Sequence, residues 1–127
     1  MIGYMLSYSG RPPYETIVRS DVLGSKRIFL EVDKENFLHN SNGPAIIEYS
    51  EDGKIIGEEF YFNGFRHRSN GPACIWYRKD KIYFISFYYH GRSYHTEALK
   101  WLEDNEMLWY DMDEGYYNQM WMELLWN

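Results

Sequence analysis

Cysteine, long apolar runs and a leader sequence are missing or nearly missing from this 127-residue chain. The single cysteine, Cys74, has no second cysteine for an internal disulfide, which fits a reducing cytoplasm. No apolar run approaches the roughly 20 residues that a membrane-spanning helix needs. The opening MIGYMLSYSGRPPY has no basic stretch followed by an apolar run, unlike a signal peptide. The sequence therefore predicts a soluble, cytoplasmic protein.

Basic residues are almost missing from the last quarter of the chain. Residues 97–127 contain one base, Lys100, against eight acids, which gives this segment a net charge of −7. Residues 1–96 carry 12 Lys and Arg against 11 Asp and Glu, so that part is close to neutral. The charge division indicates two kinds of segment within one domain, 1–127: a neutral part and an acidic tail.

Aromatic residues, in contrast, are abundant. They make up 20% of the chain, with thirteen Tyr and five Trp. Such rings usually fill a core, but these are too many for one small core. We therefore expect some of them to line a binding surface.

The sequence contains an internal repeat. HRSNGPA (67–73) differs in one letter from HNSNGPA (39–45), which lies 28 residues earlier. ISFYYHG (85–91) follows EEFYFNG (58–64) at a shift of 27. RIFLEVDKEN (27–36) occupies the place of a strand in an earlier, degraded copy.

Each copy has the pattern of a β-hairpin. The segments AIIEY (45–49) and ACIWY (73–77) alternate with the period of a strand. A turn follows, marked in the first copy by Asp-Gly at 52–53. The return strands (54–64 and 81–91) are rich in β-branched and aromatic residues.

The repeated Ser-Asn-Gly-Pro-Ala phrase predicts the corner between successive hairpins. Asn-Gly supplies positive backbone φ angles, so we expect Gly71 to have a positive φ. Proline then excludes a helix, and the small Ala73 begins the next strand without a collision. We expect His67 to anchor the loop by hydrogen-bonding the backbone of the turn.

The pattern N-G-x-x-H-R-x-x-G-P-A-x-x-x-Y resembles the divergent MORN-type (membrane occupation and recognition nexus) repeats of bacterial and bacteriophage proteins, over about residues 27–95. It is carried by Asn63, Gly64, His67, Arg68, Gly71, Pro72, Ala73 and Tyr77, and one copy earlier by Asn36, His39, Gly43, Pro44, Ala45 and Tyr49. The Gly-Pro-Ala form departs from the eukaryotic repeat, so the resemblance does not extend to a lipid role. It implies stacked antiparallel hairpins and a non-catalytic interaction role; some bacterial relatives are classed as antitoxins.

The acidic tail (96–127) has a helical pattern. Thr96 is a candidate N-cap for the first helix, and Gly115 breaks the pattern before the second. The two apolar faces comprise Ala98, Trp101, Leu102, Leu108 and Met112, and then Tyr117, Met120, Trp121, Leu124 and Leu125. The sequence thus predicts an α+β, mainly β fold: an antiparallel sheet over 1–95 with a two-helix cap.

Catalytic and metal sites are not predicted. His39, His67 and His95 are equally spaced, but equivalent residues of successive hairpins lie roughly 10 Å apart, too far for three to share one ion. Cys74 falls within a buried alternation, which indicates a packed thiol. Glu58-Glu59 (58–59) point to opposite faces of a strand. We therefore expect no cofactor and no enzymatic activity.

Two surfaces are candidates for binding a partner protein. The candidate residues are Trp76, Tyr83, Phe87 and Tyr89 on the sheet, and Glu103, Asp104, Glu106, Trp109, Asp111, Asp113 and Glu114 in the tail. The tail has two explanations. It is either a solvated helix face that keeps the protein soluble, or an acidic surface that fits a basic groove, as a nucleic-acid mimic does.

The favoured function is a non-enzymatic, phage-encoded inhibitor that blocks a bacterial defence system (anti-CRISPR or similar) or a host enzyme. The phage origin follows from the resemblance. An antitoxin-like neutraliser of a toxin is the first alternative. A weak nucleic-acid-binding module is the second, since Arg66, Arg68, Arg78, Lys79 and Lys81 interleave with Trp76 and Tyr83. The net charge of −6 disfavours it. The oligomeric state stays open, with a homodimer as one alternative.

Overall fold

A computed structural model describes residues 17–20, 26–29, 37–40 and 43–126 of the chain, the first two ranges by their backbone alone. It confirms the predicted α+β, mainly β class. The described strands are β1 (Ile17–Ser20), β2 (Lys26–Phe29), β3 (Ile46–Tyr49), β4 (Ile55–Glu59), β5 (Tyr61–Phe62), β6 (Phe65–Arg66), β7 (Cys74–Arg78), β8 (Lys81–Ser86), β9 (Tyr88–Tyr89) and β10 (Arg92–Ser93). Six of them form one antiparallel sheet in the order β1-β2-β3-β4-β7-β8.

The two predicted hairpins, β3–β4 and β7–β8, are present and repeat in detail. Ile47 pairs with Glu58 in the first, and Ile75 pairs with Ile85 in the second. The register shifts after Glu48 in the first hairpin and after Trp76 in the second, at positions 28 residues apart. The copies therefore share even an irregularity of their strands.

The return strands are shorter than predicted, because each ends at a buried phenylalanine. The backbone N–H of Phe60 bonds to Ala73 O (2.7 Å), and the N–H of His67 bonds to Phe60 O (3.0 Å), so Phe60 is tied to the next corner. Phe87 occupies the same place one copy later and accepts a bond from the N–H of Tyr94 (2.9 Å). After each break a small hairpin follows: β5–β6 after Phe60, and β9–β10 after Phe87.

Positive φ angles occur in these small hairpins and in the turns of the main hairpins, but at no described residue of the two Ser-Asn-Gly-Pro-Ala phrases. Asn63 and Gly64 have φ of 50° and 88°, and His90 and Gly91 have φ of 47° and 84°. Both values suit two-residue hairpin turns. Gly71 is not among the residues with positive φ, so the prediction of a positive φ at Gly71 was wrong.

Gly71 is needed for space instead. A β-carbon built at Gly71 would lie 2.7 Å from Arg68 Cζ, closer than such atoms approach. The equivalent position in the first copy, Gly43, has room, since its β-carbon would lie 3.8 Å from Asn40 Nδ2. The glycine of the second corner therefore makes way for a guanidinium.

The tail contains the two predicted helices, with different bounds. Helix α1 (His95–Asp104) begins after Tyr94, so the prediction of Thr96 as N-cap was wrong, and it ends well before Met112. A 3₁₀ turn (Trp109–Asp111) follows, and α2 (Glu114–Trp126) includes Gly115 in its first turn rather than starting after it. Within the described residues, no helix is long and apolar enough to span a membrane.

The helices cover one end of the sheet. The larger core cluster joins Phe87 to both helices and consists of Phe87, Tyr94, Ala98, Trp101, Leu102, Tyr117, Met120 and Trp121. A second cluster holds Phe60, Ala73 and Ile75, and Trp109 packs against both clusters. Full burial of a side chain as large as Phe87 contributes about 1.5–3 kcal/mol. The corner of the second copy is therefore held between the sheet and the tail.

Candidate protein-interaction site

The histidines hydrogen-bond the backbone of a turn, as predicted, but the turn is the following small hairpin and not the Asn-Gly turn of their own corner. His39 Nδ1 accepts a hydrogen bond from the backbone N–H of Asn63 (3.0 Å). His67 Nδ1 accepts one from the N–H of His90 (2.9 Å). Asn63 and His90 are the positive-φ residues of the two small turns. Each histidine therefore ties its corner to the following turn, while His95 begins α1 instead.

Different residues close the two corners with an equivalent hydrogen bond. Asn40 Nδ2 donates to Pro44 O (2.9 Å), and Arg68 Nη1 donates to Pro72 O (3.2 Å). Arg68 also donates from Nε to Asn70 Oδ1 (3.1 Å), and its Cζ lies 3.9 Å from the centroid of the Phe60 ring. The second copy thus places a cation where the first has a neutral amide.

A row of rings runs along the corners toward α2. His39 lies 4.5 Å from Phe62, and the stacked rings of His67 and His90 lie 4.1 Å apart, measured between centroids. Tyr89 continues the row: its centroid lies 4.7 Å from that of His67 and 4.8 Å from that of Trp121 on α2. Burial and the neighbouring His90 lower the pKa of His67 to about 4. His67 is therefore neutral at physiological pH.

Two adjoining cavities lie beside the second corner. The first, about 460 Å³, is lined by Asn40, Gly43, Phe60, Phe62, His67, Arg68, Ser69 and Asn70. The second, about 370 Å³, is lined by Ser69, Asn70, Met112, Asp113, Glu114, Tyr117 and Asn118. Ser69 and Asn70 border both, and we call the two adjoining cavities together the corner groove. It runs from Arg68 to the start of α2.

The predicted sheet residues do not share one surface. Phe87 is fully buried in the core, so its side chain cannot reach a partner. Trp76 is half-buried, and its ring covers Gly57, where a β-carbon would lie 2.2 Å from the ring. Tyr89 is half-buried within the ring row. Of these residues, Tyr83 alone is largely exposed, at 56%.

Tyr83 belongs to an exposed apolar patch that sequence reasoning missed. The exposed apolar residues near the turn ends of β4 and β8 are Ile55, Ile82, Tyr83 and Phe84, which we call the sheet-tip patch, although alternation along β8 means that they do not all lie on one face of the sheet. Three of these residues lie on β8, the last strand of the described sheet. The apolar residues on both faces of the return strands were the available signal.

The predicted acids of the tail are all exposed: Glu103, Asp104, Glu106, Asp111, Asp113 and Glu114. Asp104 pairs with Lys100 (2.9 Å), and Asp113 Oδ1 accepts the backbone N–H of Tyr116 (2.9 Å) at the start of α2. Trp109, also predicted, is half-buried against the core. The tail therefore presents negative charge that its own bases do not neutralise.

Exposed apolar side chains accompany these acids, and sequence reasoning missed them too. Among the described tail residues they are Leu99, Leu108, Tyr110, Tyr116, Met122, Leu125 and Trp126. Trp126 is 84% exposed. Together with the six acids they form what we call the acidic-apolar surface. Helix α2 thus carries apolar residues on its buried side and on its exposed side, a pattern typical of a helix covered all round.

Reactive groups elsewhere are held in structural roles. Glu59 is 4% exposed and forms an ion pair with Arg66 (2.8 Å), which sequence reasoning did not predict. Cys74 is buried, as predicted, and burial raises the pKa of its thiol to about 11. It is therefore a neutral thiol at physiological pH, not a nucleophile. No group of three His, Cys, Asp or Glu residues in the described chain is placed to hold a metal ion.

Comparison with known proteins assigns neither a family nor a function to this site. No protein-family model, curated protein or solved structure matches the chain. The resemblance of its corners to MORN-type repeats therefore stays a prediction. The functional argument rests on the acidic-apolar surface, the sheet-tip patch and the corner groove.

Proposed function

We propose that this protein is a non-enzymatic inhibitor that occupies a basic groove of a partner protein with its acidic-apolar surface. The observation that carries this proposal is the exposed apolar side of α2, beside acids that the tail does not neutralise. Single exposed apolar residues are ordinary, but four on one short helix (Tyr116, Met122, Leu125 and Trp126), in a tail of unneutralised acids, support an interaction surface.

The two components of the surface have different roles in binding. Buried aromatic anchors supply most of the binding energy of an interface, and Trp126 and Tyr110 are the most exposed large rings of the tail. Acids around such anchors speed the approach of a basic partner and exclude acidic ones. An acidic surface kept only for solubility has no need of the apolar residues between the acids.

The biological setting follows from the repeat. Because the corner phrase resembles bacterial and bacteriophage proteins, we place the inhibitor in a phage and its target in the host cytoplasm. A defence protein that binds nucleic acid offers the basic groove that this surface requires. The target is then a defence protein or a host enzyme whose groove is blocked.

The test is affinity capture from bacterial lysate with three forms of the protein. The parent should enrich one host protein that carries a basic groove. Replacing Tyr116, Met122 and Trp126 by Ser should abolish this enrichment, because the exposed side of α2 loses its anchors. The matched variant Tyr83→Ser, which changes the sheet-tip patch, should retain it. Retention by the α2 variant together with loss by Tyr83→Ser would place binding on the sheet instead.

A further inference from the structure

The corner groove has a cation that its own corner does not require. In the first copy, Asn40 closes the corner through its bond to Pro44 O without any charge. Arg68 makes the equivalent bond to Pro72 O, so an amide would suffice there too. The second copy nevertheless holds a guanidinium, which lies so close to Gly71 that a β-carbon there would come within 2.7 Å of Arg68 Cζ.

This guanidinium makes no salt bridge among the described residues, although the charge of Glu58 acts on it and opposes the effect of burial on its pKa. It is part-buried, and burial lowers the pKa of Arg68. A cation removed from water gains most from an anion that approaches in the plane of its free N–H groups. Nε and one Nη1 hydrogen are used within the corner, Nη2 makes no hydrogen bond among the described residues, and Arg68 lines the first cavity.

The far end of the groove has the opposite charge. Asp113 and Glu114 line it and are exposed. Between the two ends, the backbone N–H groups of Ser69 and Asn70 have no hydrogen-bond partner in the described chain. Rings of Phe60, Phe62 and His67 line the Arg68 end. Along the groove, Arg68 therefore supplies a cation and the rings beside it supply apolar walls. The two backbone N–H donors follow, and the two carboxylates lie at the far end.

We propose that the corner groove binds an extended peptide segment, with an acidic side chain against Arg68 and a basic side chain against Asp113 and Glu114. The charge order of the groove selects this occupant. A phosphate group would suit Arg68, but the acids at the other end repel a multiply charged anion. In the setting proposed above, which this inference assumes, the segment belongs to the target protein.

The probes are four fluorescein-labelled hexapeptides with blocked ends on a Gly-Ser background. Two of them, the mixed peptides, carry a Phe-Glu pair and an Arg two residues away, and they differ in which of the two comes first. The third peptide carries the Glu without the Arg, and the fourth carries the Arg without the Glu. Fluorescence polarisation should detect one mixed peptide with a Kd below about 100 μM, the range of weak peptide interactions. Each singly charged peptide should bind at least tenfold more weakly.

The structure supplies a variant that removes the charge and keeps the corner. Arg68→Asn reproduces the clamp of Asn40, so the fold should survive while binding of the mixed peptide falls at least tenfold. The double variant Asp113→Asn, Glu114→Gln should cause a similar fall in binding. The start of α2 should stay intact, because an asparagine side chain still offers an oxygen that accepts the N–H of Tyr116. The matched control is Lys79→Asn, which removes a cation outside the groove at a positive φ that Asn tolerates.

The results separate this inference from the proposed function. Binding of no mixed peptide, or equal binding by the parent and a folded Arg68→Asn variant, would overturn the groove assignment. The acidic-apolar surface would be untouched by that result, because its test is capture by the exposed side of α2. Conversely, peptide binding that depends on Arg68 would stand even if lysate capture returned no partner.

Discussion

The two corners differ at the scale of single atoms. Their histidines make the same bond to the backbone of a small turn, and Asn40 and Arg68 close them in the same way. The corners differ in the volume of the group beside the glycine. Gly71 lies against the guanidinium of Arg68, whereas Gly43 has open space beside it. One corner is therefore an internal control for the other.

Alanine at the two equivalent glycines should have unequal effects. Gly71→Ala places a methyl group against the guanidinium of Arg68 and should lower the free energy of unfolding by up to about 1 kcal/mol, the low end of the cost of overpacking, because the flexible end of that side chain can shift. Gly43→Ala should change it by less than about 0.5 kcal/mol, since the new atom meets nothing closer than 3.8 Å. Urea denaturation of both variants measures the difference.

The cause can be checked in a double variant. If the guanidinium is the obstacle, Gly71→Ala should cost less when Arg68→Asn is also present, because the shorter side chain leaves room. The interaction between neighbouring substitutions is measured by a double-mutant cycle. Equal costs in both backgrounds would mean that the glycine serves another purpose.

His67 should make stability depend on pH. Its pKa is lowered from 6.5 to about 4, so between these values the unfolded chain binds a proton there and the folded protein does not. The free energy of unfolding should therefore fall as the pH falls through this window. The slope has a ceiling of about 1.4 kcal/mol per pH unit, and solvent around the half-buried ring reduces it.

The matching variant is His67→Asn, whose Oδ1 can accept the same backbone hydrogen bond but does not titrate. Urea denaturation at pH 7 and pH 5 should give a smaller difference for this variant than for the parent. Lys79→Asn, which changes no group that titrates in this window, should behave as the parent does. A parent-like pH dependence in His67→Asn would contradict the assignment to His67.

At the scale of elements, a side-chain hydrogen bond joins α2 to the repeat within the described residues. Trp121 Nε1 donates to Ser69 O (2.8 Å), in the middle of the corner groove, and the ring packs against Tyr89 and Tyr94. The bond fixes how far along the corner the helix lies. It also explains why the charged start of α2 lies beside the corner.

Trp121→Phe should therefore loosen the helix without unfolding the sheet. It removes the donor and part of the ring, which should cost about 1–3 kcal/mol through the lost hydrogen bond to Ser69 O and the lost packing. Hydrogen exchange should show amides of α2 opening more readily, while those of β7 and β8 keep their protection. Uniform loss of protection across both would show that helix and sheet unfold as one unit.

The hairpins and helices differ in how far the sequence predicts them. The hairpins were predictable because alternation and the repeat agree. Their ends were not, because the breaks at Phe60 and Phe87 depend on bonds to corners that lie distant in sequence. The first helix was predicted too long: Leu108 and Met112 extend the apolar spacing past Asp104, although Leu108 lies exposed.

At the scale of the whole molecule, the charge of the tail should affect the rate of binding more than the fold. Replacing Glu103, Asp104 and Glu106 by Gln, Asn and Gln should change stability by less than about 0.5 kcal/mol, since all three are exposed. Association with the captured partner should slow, and its salt dependence should flatten, because steering depends on the summed charge.

Stopped-flow kinetics at low and moderate salt measures this effect. Trp126→Ala should instead speed dissociation, because truncating an anchor affects the bound state more than the encounter. If the triple variant associates as fast as the parent at both salt concentrations, the charges serve solubility alone.

The charged part of the site was predictable and the apolar part was not. Acids are exposed by default, so the positions of Glu103 and Asp111 followed from residue type. Phe87 and Phe84 have similar surroundings in sequence, yet one is fully buried and the other 45% exposed. Which of them faces the core is decided by the strand break and by the helices, which contact distant residues. The corner groove depends on the same long-range packing.

The repeated corner also makes the length of the molecule adjustable in fixed steps. Each copy ends on the contacts with which the next begins, and His95 ends the series by starting a helix. Duplicating one 28-residue copy would add two strands to the main sheet and move the tail by roughly 10 Å, with each new junction already matched. In such a chain the number of copies would set the distance between the first strand and the acidic tail. Duplication within the gene can therefore change this distance without requiring new contacts between the copies.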